Sequence, residues 1–184
     1  MGTPKEPTPV KYFVGFLSAE PDLIGAVEED LSALFGSVDA RSQLVPWSAS
    51  QYYEKEMGER LVRRYISFAR LQSPAALAGL KLAANAIEQR YPRVNSTGRR
   101  VNLDPGYMES GKLVLASTKN ANQRVYLGSG IYAEVTLQFY HGEFHAAPHT
   151  YGDYTWPESI GFFVAMRTTY LAQLRQLRNN EDRR

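Results

Sequence analysis

The spacing of apolar residues changes along the chain, and each change predicts an element. Residues 11–17 hold a short apolar run led by Tyr12, Phe13 and Val14, all strand-favouring types, and predict a first strand. Pro21 suits the first turn of a helix. Leu23, Val27, Leu31 and Leu34 then recur at helical spacing until Gly36 supplies a stop. A second strand is expected over 38–45, a short aromatic turn over 52–58 and a third strand over 61–69. Ser73-Pro74 pairs a capping hydroxyl with a proline at the first helical position. Leu77, Leu80, Ala84 and Ile87 form that helix's apolar stripe, which Tyr91-Pro92 ends. A loop at 94–98 leads to a fourth strand at 99–103.

This order, β-α-β-β-α-β, is the split βαβ of the ferredoxin-like fold. The expected class is therefore α+β: a ferredoxin-like βαββαβ core with a C-terminal β-hairpin and helix extension. Residues 106–117 fit helix or strand equally well. The runs 124–127 and 131–140 predict a hairpin around Gly128-Ser129-Gly130. Pro157 opens a final helix carrying Ile160, Phe163, Val164, Leu171 and Leu174. One domain is expected over 1–184: a flexible tail at 1–10, the core at 11–104, and an extension at 105–184 packed on it.

Composition narrows the class. A chain of 184 residues, 43% hydrophobic and 22% charged, can bury a core and is not a disordered one. The absence of cysteine excludes disulfides, zinc thiolates and thiol nucleophiles. The first apolar run is too short for a signal-peptide core or a membrane span, so a cytoplasmic protein with no membrane partner is expected. A formal net charge of +2 is too small to imply nucleic acid by bulk electrostatics. Arg175, Arg178, Arg183 and Arg184 also suit the negative end of a terminal helix. The 12 tyrosines and 8 phenylalanines suggest a wet working surface or a core with polar edges.

Three local motifs invite chemistry, and each has a plainer explanation. Gly106 to Lys112 matches G-x-x-x-x-G-K, the loop whose amides and lysine cradle phosphates. Leu113 follows, however, where a hydroxyl should hold Mg²⁺, and Tyr107, Met108 and Glu109 crowd the cradle. The run from Tyr12 to Leu17 resembles the first strand of an RNA-recognition motif. The third strand does not complete its stacking platform, because Tyr65 shares its face with Ser67 and Ala69. His141, His145 and His149 lie close in sequence, but Gly142 and Pro148 oppose a helix. Extended chain would still place His141, Glu143 and His145 on one side, a weak metal candidate beside the exposed-loop reading. No G-x-S-x-G marks a serine nucleophile.

A more diffuse signal lies in alternating strands. Arg100, Asn102 and Asp104 alternate with Val101 and Leu103; Tyr132, Glu134, Thr136, Gln138 and Tyr140 alternate with apolar residues from Ile131 to Phe139. On the second helix, Lys81, Asn85 and Glu88 follow one stripe beside the apolar face. Ordinary solvated faces would explain each alone. Together with Tyr107, Lys112, Lys119 and Tyr126 they define an expected polar site, with Glu54, Glu56 and Asp153 as secondary acids. Asp104 and Glu134 are its catalytic candidates, for carboxylates act as general acids and bases or hold a divalent cation. Arg100 and Lys112 could clamp a phosphate. Arg100, Asp104, Lys112 and Glu134 are expected to share one concavity.

Longer motifs carry a family resemblance. The segments Val14-Gly15-Phe16-Leu17-Ser18, Tyr52-Tyr53-Glu54-Lys55-Glu56-Met57-Gly58 and Arg100-Val101-Asn102-Leu103-Asp104-Pro105-Gly106-Tyr107 resemble an uncharacterised prokaryotic family, domain of unknown function 4416. So do Lys112-Leu113-Val114-Leu115-Ala116, the run from Tyr126 to Leu137, and Tyr151-Gly152-Asp153-Tyr154. Some relatives carry a GTP-binding label, but the resemblance supplies no established activity, catalytic residue or cofactor. The family pattern does not fix a glycine at 111, which implies that the phosphate-loop match is accidental.

The leading expectation is a site for an anionic or phosphorylated small molecule or nucleotide, open to catalysis. Its alternatives are an RNA-binding module using Tyr12 and Phe13 on the sheet, and a non-catalytic partner-binding protein with a large exposed apolar patch.

Overall fold

In a computed structural model that describes residues 2–93 and 98–181, nine strands form one antiparallel sheet, in the order β2-β4-β1-β5-β6-β8-β7, with β3 beside β4 and β9 beside β8. The strands are β1 (Val10–Ser18), β2 (Val38–Arg41), β3 (Val45–Pro46), β4 (Val62–Gln72), β5 (Val101–Met108), β6 (Lys112–Ser117), β7 (Val125–Gly128), β8 (Ile131–Tyr140) and β9 (Glu143–Ala146). The helices are α1 (Ile24–Phe35), α2 (Glu54–Met57), α3 (Leu77–Arg90) and α4 (Pro157–Glu181). Most of the loop expected at 94–98, together with Arg183 and Arg184, lies outside the described residues.

Strand β1 is buried along its whole length because it is covered on both faces. Tyr12, Val14 and Phe16 pack with Ile24, Val27, Leu31 and Phe35 of α1 and Leu77, Ala84 and Ile87 of α3. Phe13 joins Tyr65, Tyr154 and the α4 residues Phe162, Phe163 and Met166 on the other side. Tyr12 and Phe13 are both 0% exposed, so neither is available to stack on a base.

Several boundaries differ from the pattern-based reading. The expected second strand is two pieces, β2 and β3, both paired with β4. The fourth strand runs on to Met108, and 106–117 resolves as the end of β5, a turn and β6. The phosphate-loop look-alike is thus a β-turn with no helix after it; Glu109 N donates to Lys112 O at 2.9 Å, and Lys112 Nζ pairs with Glu109 at 3.0 Å. The histidine stretch is not all loop either. His141 (φ 52°) and Gly142 (φ 89°) make a two-residue turn of the kind that requires positive φ at both positions, and β9 returns along β8. No helix among the described residues is long and apolar enough to cross a membrane.

Candidate functional site

The sheet divides at β5. This strand pairs with β1 from Lys11↔Met108 to Ser18↔Val101, but with β6 only over Gly106–Met108. Before Gly106 the two strands part, and α3 satisfies the edge that a neighbour strand would normally occupy. Leu103 N donates to Glu88 Oε1 at 2.7 Å, and Leu103 O accepts from Lys81 Nζ at 2.7 Å. Pro105, two residues on and directed to the same side, has no N–H to continue the ladder. The parted strands leave a cavity of about 790 Å³, lined from the α3 side and from the 151–154 turn.

One wall is aromatic: Trp47, Tyr52, Tyr53, Tyr151 and Tyr154. Trp47 packs edge-on against Tyr53 and against Trp156. The floor is an ion network. Arg63, 5% exposed in its side chain, donates from Nε to Asp153 Oδ2 at 2.8 Å and from Nη1 to Asp104 Oδ2 at 3.4 Å, and its Nη2 completes the ion pair with Asp153 Oδ2 at 2.7 Å. Tyr65 Oη donates to Asp153 Oδ2 at 2.7 Å, and Asn102 Nδ2 to Asp104 Oδ2 at 2.6 Å. The guanidinium also lies over the rings of Trp47 and Tyr65, which suits its planar, weakly hydrated cation. Beside it, Arg99 bridges Glu88 (2.6 Å) and Glu56 (2.9 Å).

These neighbours set protonation. Burial pushes the Asp104 carboxyl up, but Lys81, Arg63 and Arg99 with the Asn102 amide outweigh it and hold it below the usual range. Glu88 goes the other way, because burial prevails over Lys81 and Arg99. Tyr53 is raised by burial and then by the Asp104 charge, so its hydroxyl stays protonated. A depressed folded value means that Asp104 stabilises the fold above its unfolded value of 3.8 and that this contribution is lost as pH falls through the folded value. Asp104→Asn should therefore flatten the acid limb of the stability–pH curve, read as urea midpoints between about pH 6 and pH 3. An unchanged acid limb would refute this assignment.

At the rim, Arg124 Nε donates to Glu134 Oε2 at 2.9 Å, Nη1 to Ser117 Oγ and Lys119 O, and Nη2 to Tyr151 Oη. Glu134 is 3% exposed and acts through Arg124, fixing the strap that carries Lys119. Across the mouth, Lys119 Nζ meets Tyr52 Oη at 3.1 Å and stands 4.6 Å from its ring centroid.

Of the residues nominated from sequence, Asn102, Asp104, Lys119, Glu56, Lys81, Asn85, Glu88 and Asp153 line the cavity. The expected concavity of Arg100, Asp104, Lys112 and Glu134 does not form. Arg100 pairs with Glu20 at 2.5 Å, Lys112 sits at the far end of the β5–β6 hairpin, and Glu134 lies behind Arg124. Tyr107 packs edge-on against Tyr12, and Tyr126 and Tyr132 face each other on the β7–β8 hairpin. Thr136 is wholly buried, and Glu54 is exposed on α2 without lining the cavity. His145 stacks on Tyr140 at 3.6 Å with Nε2 at 3.1 Å from Tyr140 O, His141 occupies the turn, and no group of three potential ligands occurs among the described residues.

Arg63, Arg99, Arg124, Trp47 and Tyr53 were not singled out by patterning. Arg63 alone left a trace, a charge sharing a strand face with Leu61 and Tyr65, where an apolar residue would be expected.

The family model described as Domain of unknown function (DUF4416) matches residues 8–170. No curated protein matches the chain. The chain belongs to the DUF4416 family.

Proposed function

We propose that this DUF4416 protein binds a small anionic molecule with a planar ring, of the nucleotide class, in the split between β5 and β6. The observation that supports this reading is the cavity itself: about 790 Å³, within the range of small-molecule sites, joining an aromatic wall to a charged floor. The rings offer stacking surface. Lys119, exposed at the mouth and paired with no carboxylate among the described residues, suits the anionic end. Held as a carboxylate, Asp104 is a hydrogen-bond acceptor or base rather than a general acid. On this reading the strand order β2-β4-β1-β5 with α1 and α3 as crossovers is the ferredoxin-like arrangement, extended by β6, β8 and β7 so that the site forms at the join. We place the protein in the cytoplasm, where such ligands are available.

A thermal-shift panel of nucleotides and phosphorylated metabolites, with and without Mg²⁺, tests the proposal. A ligand at about 100 times its Kd should add about 2.7 kcal/mol of stability, a shift of several degrees. Trp47 lines the cavity and Trp156 packs on it, and these are the chain's 2 tryptophans, so intrinsic fluorescence should report the same binding. Lys119→Glu should weaken it. No stabilisation and no fluorescence change with any anionic ligand would retire the proposal.

A further inference from the structure

Most polar groups around the cavity already have partners, and those that do not define what a ligand must offer. Arg63 divides its donors between Asp153 and Asp104, Lys81 holds Leu103 O, and Arg124 is bound by Glu134, Ser117 and Tyr151. Asp153 Oδ1, Arg99 Nε and Tyr154 Oη have no hydrogen bond among the described residues, but all three atoms are closed off by their neighbours.

Asp104 differs. Its Oδ2 accepts from Asn102 and Arg63, whereas Oδ1 accepts from none of the described residues; Lys81 Nζ stands 3.7 Å from it. The side chain is 21% exposed and lines the cavity. Three cations around it keep it ionised. The cavity thus presents an ionised acceptor with free capacity close to the aromatic wall, along with the Asn85 amide, which has no hydrogen bond among the described residues.

A ligand that covered Asp104 Oδ1 without donating to it would leave a desolvated carboxylate oxygen unpaired. One that turned a carbonyl toward it would add lone-pair repulsion. An exocyclic amine has two N–H donors at the ring edge and makes a charge-assisted bond there.

Resting on the nucleotide reading above, we infer that Asp104 is the specificity-determining acceptor of this site, selecting bases that carry an exocyclic amine over their oxo counterparts. Adenine and hypoxanthine differ in this way, as do cytosine and uracil. The anionic tail contributes equally to both members of a pair, so the difference isolates the ring edge.

The experiment measures Kd by tryptophan fluorescence for AMP against IMP and for CMP against UMP, with the wild-type chain and with Asp104→Asn. In whichever pair binds, the amine member should bind about tenfold more tightly or better, the effect of one charge-assisted hydrogen bond. Asp104→Asn should reduce that preference to about threefold or less, since a neutral amide oxygen is a weaker acceptor. The wild-type comparison decides the matter even where the variant folds poorly. Binding with no amine preference would overturn this inference and leave the nucleotide reading standing. A preference that persists unchanged in Asp104→Asn would overturn the assignment to Asp104. Failure of all four to bind would overturn this inference, while the nucleotide reading would stand or fall on the wider ligand panel above.

Discussion

Replacing Arg63 by Met should remove about 3–5 kcal/mol of folding stability, the usual result of deleting one partner of a buried ion pair. Asp153 is 0% exposed, and Arg63 supplies one of the two hydrogen bonds to its Oδ2 as well as the paired charge. Without the guanidinium, Tyr65 Oη is the one donor left to that carboxylate among the described residues, and Asp104 loses a neighbour as well. Met fills much of the arginine's volume, so the loss measures charge and hydrogen bonding more than cavity formation. Asp153→Asn in the same background should restore part of it, because a neutral amide tolerates burial better. The double-mutant cycle, read from urea midpoints with m-values checked for constancy, should then show strong coupling. Arg63→Met within about 1 kcal/mol of wild type would contradict the network's structural role.

Gly106→Ala should also destabilise by about 3 kcal/mol or more, at the upper end for overpacking. A Cβ there would lie 2.5 Å from the Phe13 ring and 2.5 Å from the Val114 carbonyl oxygen. Neither can yield easily. Phe13 is fully buried against Phe163, Tyr65 and Tyr154, and Val114 is held in the β5–β6 ladder. Gly106 is where β5 and β6 rejoin after the split, so the substitution should loosen the cavity together with the fold. Gly111→Ala is the internal control: the nearest atom to its Cβ is Phe139 O at 4.0 Å, and a change within about 0.5 kcal/mol is expected. Equal effects at the two glycines, measured by thermal unfolding, would show that the close approach at Gly106 is not what matters.

That pair also shows how local motifs mislead. Both glycines belong to the phosphate-loop look-alike, yet one is required by packing and the other by neither packing nor phosphate geometry. Patterning ends the fourth strand at residue 103 and does not register the interruption that Asp104-Pro105-Gly106 makes within β5. The effect of that interruption, a parted sheet with a cavity in the gap, depends on which strand lies next to β5. The α3 stripe of Lys81, Asn85 and Glu88 was visible from helical spacing, but not that two of its members would cap the backbone of Leu103.

The sequence by itself determined the order of the long elements, the helix starts at Pro21, Ser73-Pro74 and Pro157, the β7–β8 hairpin and the polar stripes on β5 and α3. These follow from periodicity and backbone restriction, which act over a few residues. Only the tertiary structure decided which charges meet. Arg63 reaches Asp153 across 90 positions and Arg100 turns to Glu20 across 80, distances over which no local pattern operates. Burial of both faces of β1 likewise needed α4, some 150 residues away, to cover Phe13. A side chain's partner is fixed by sheet order and by the low dielectric that makes an unpaired charge intolerable. Both arise only once the whole chain is packed.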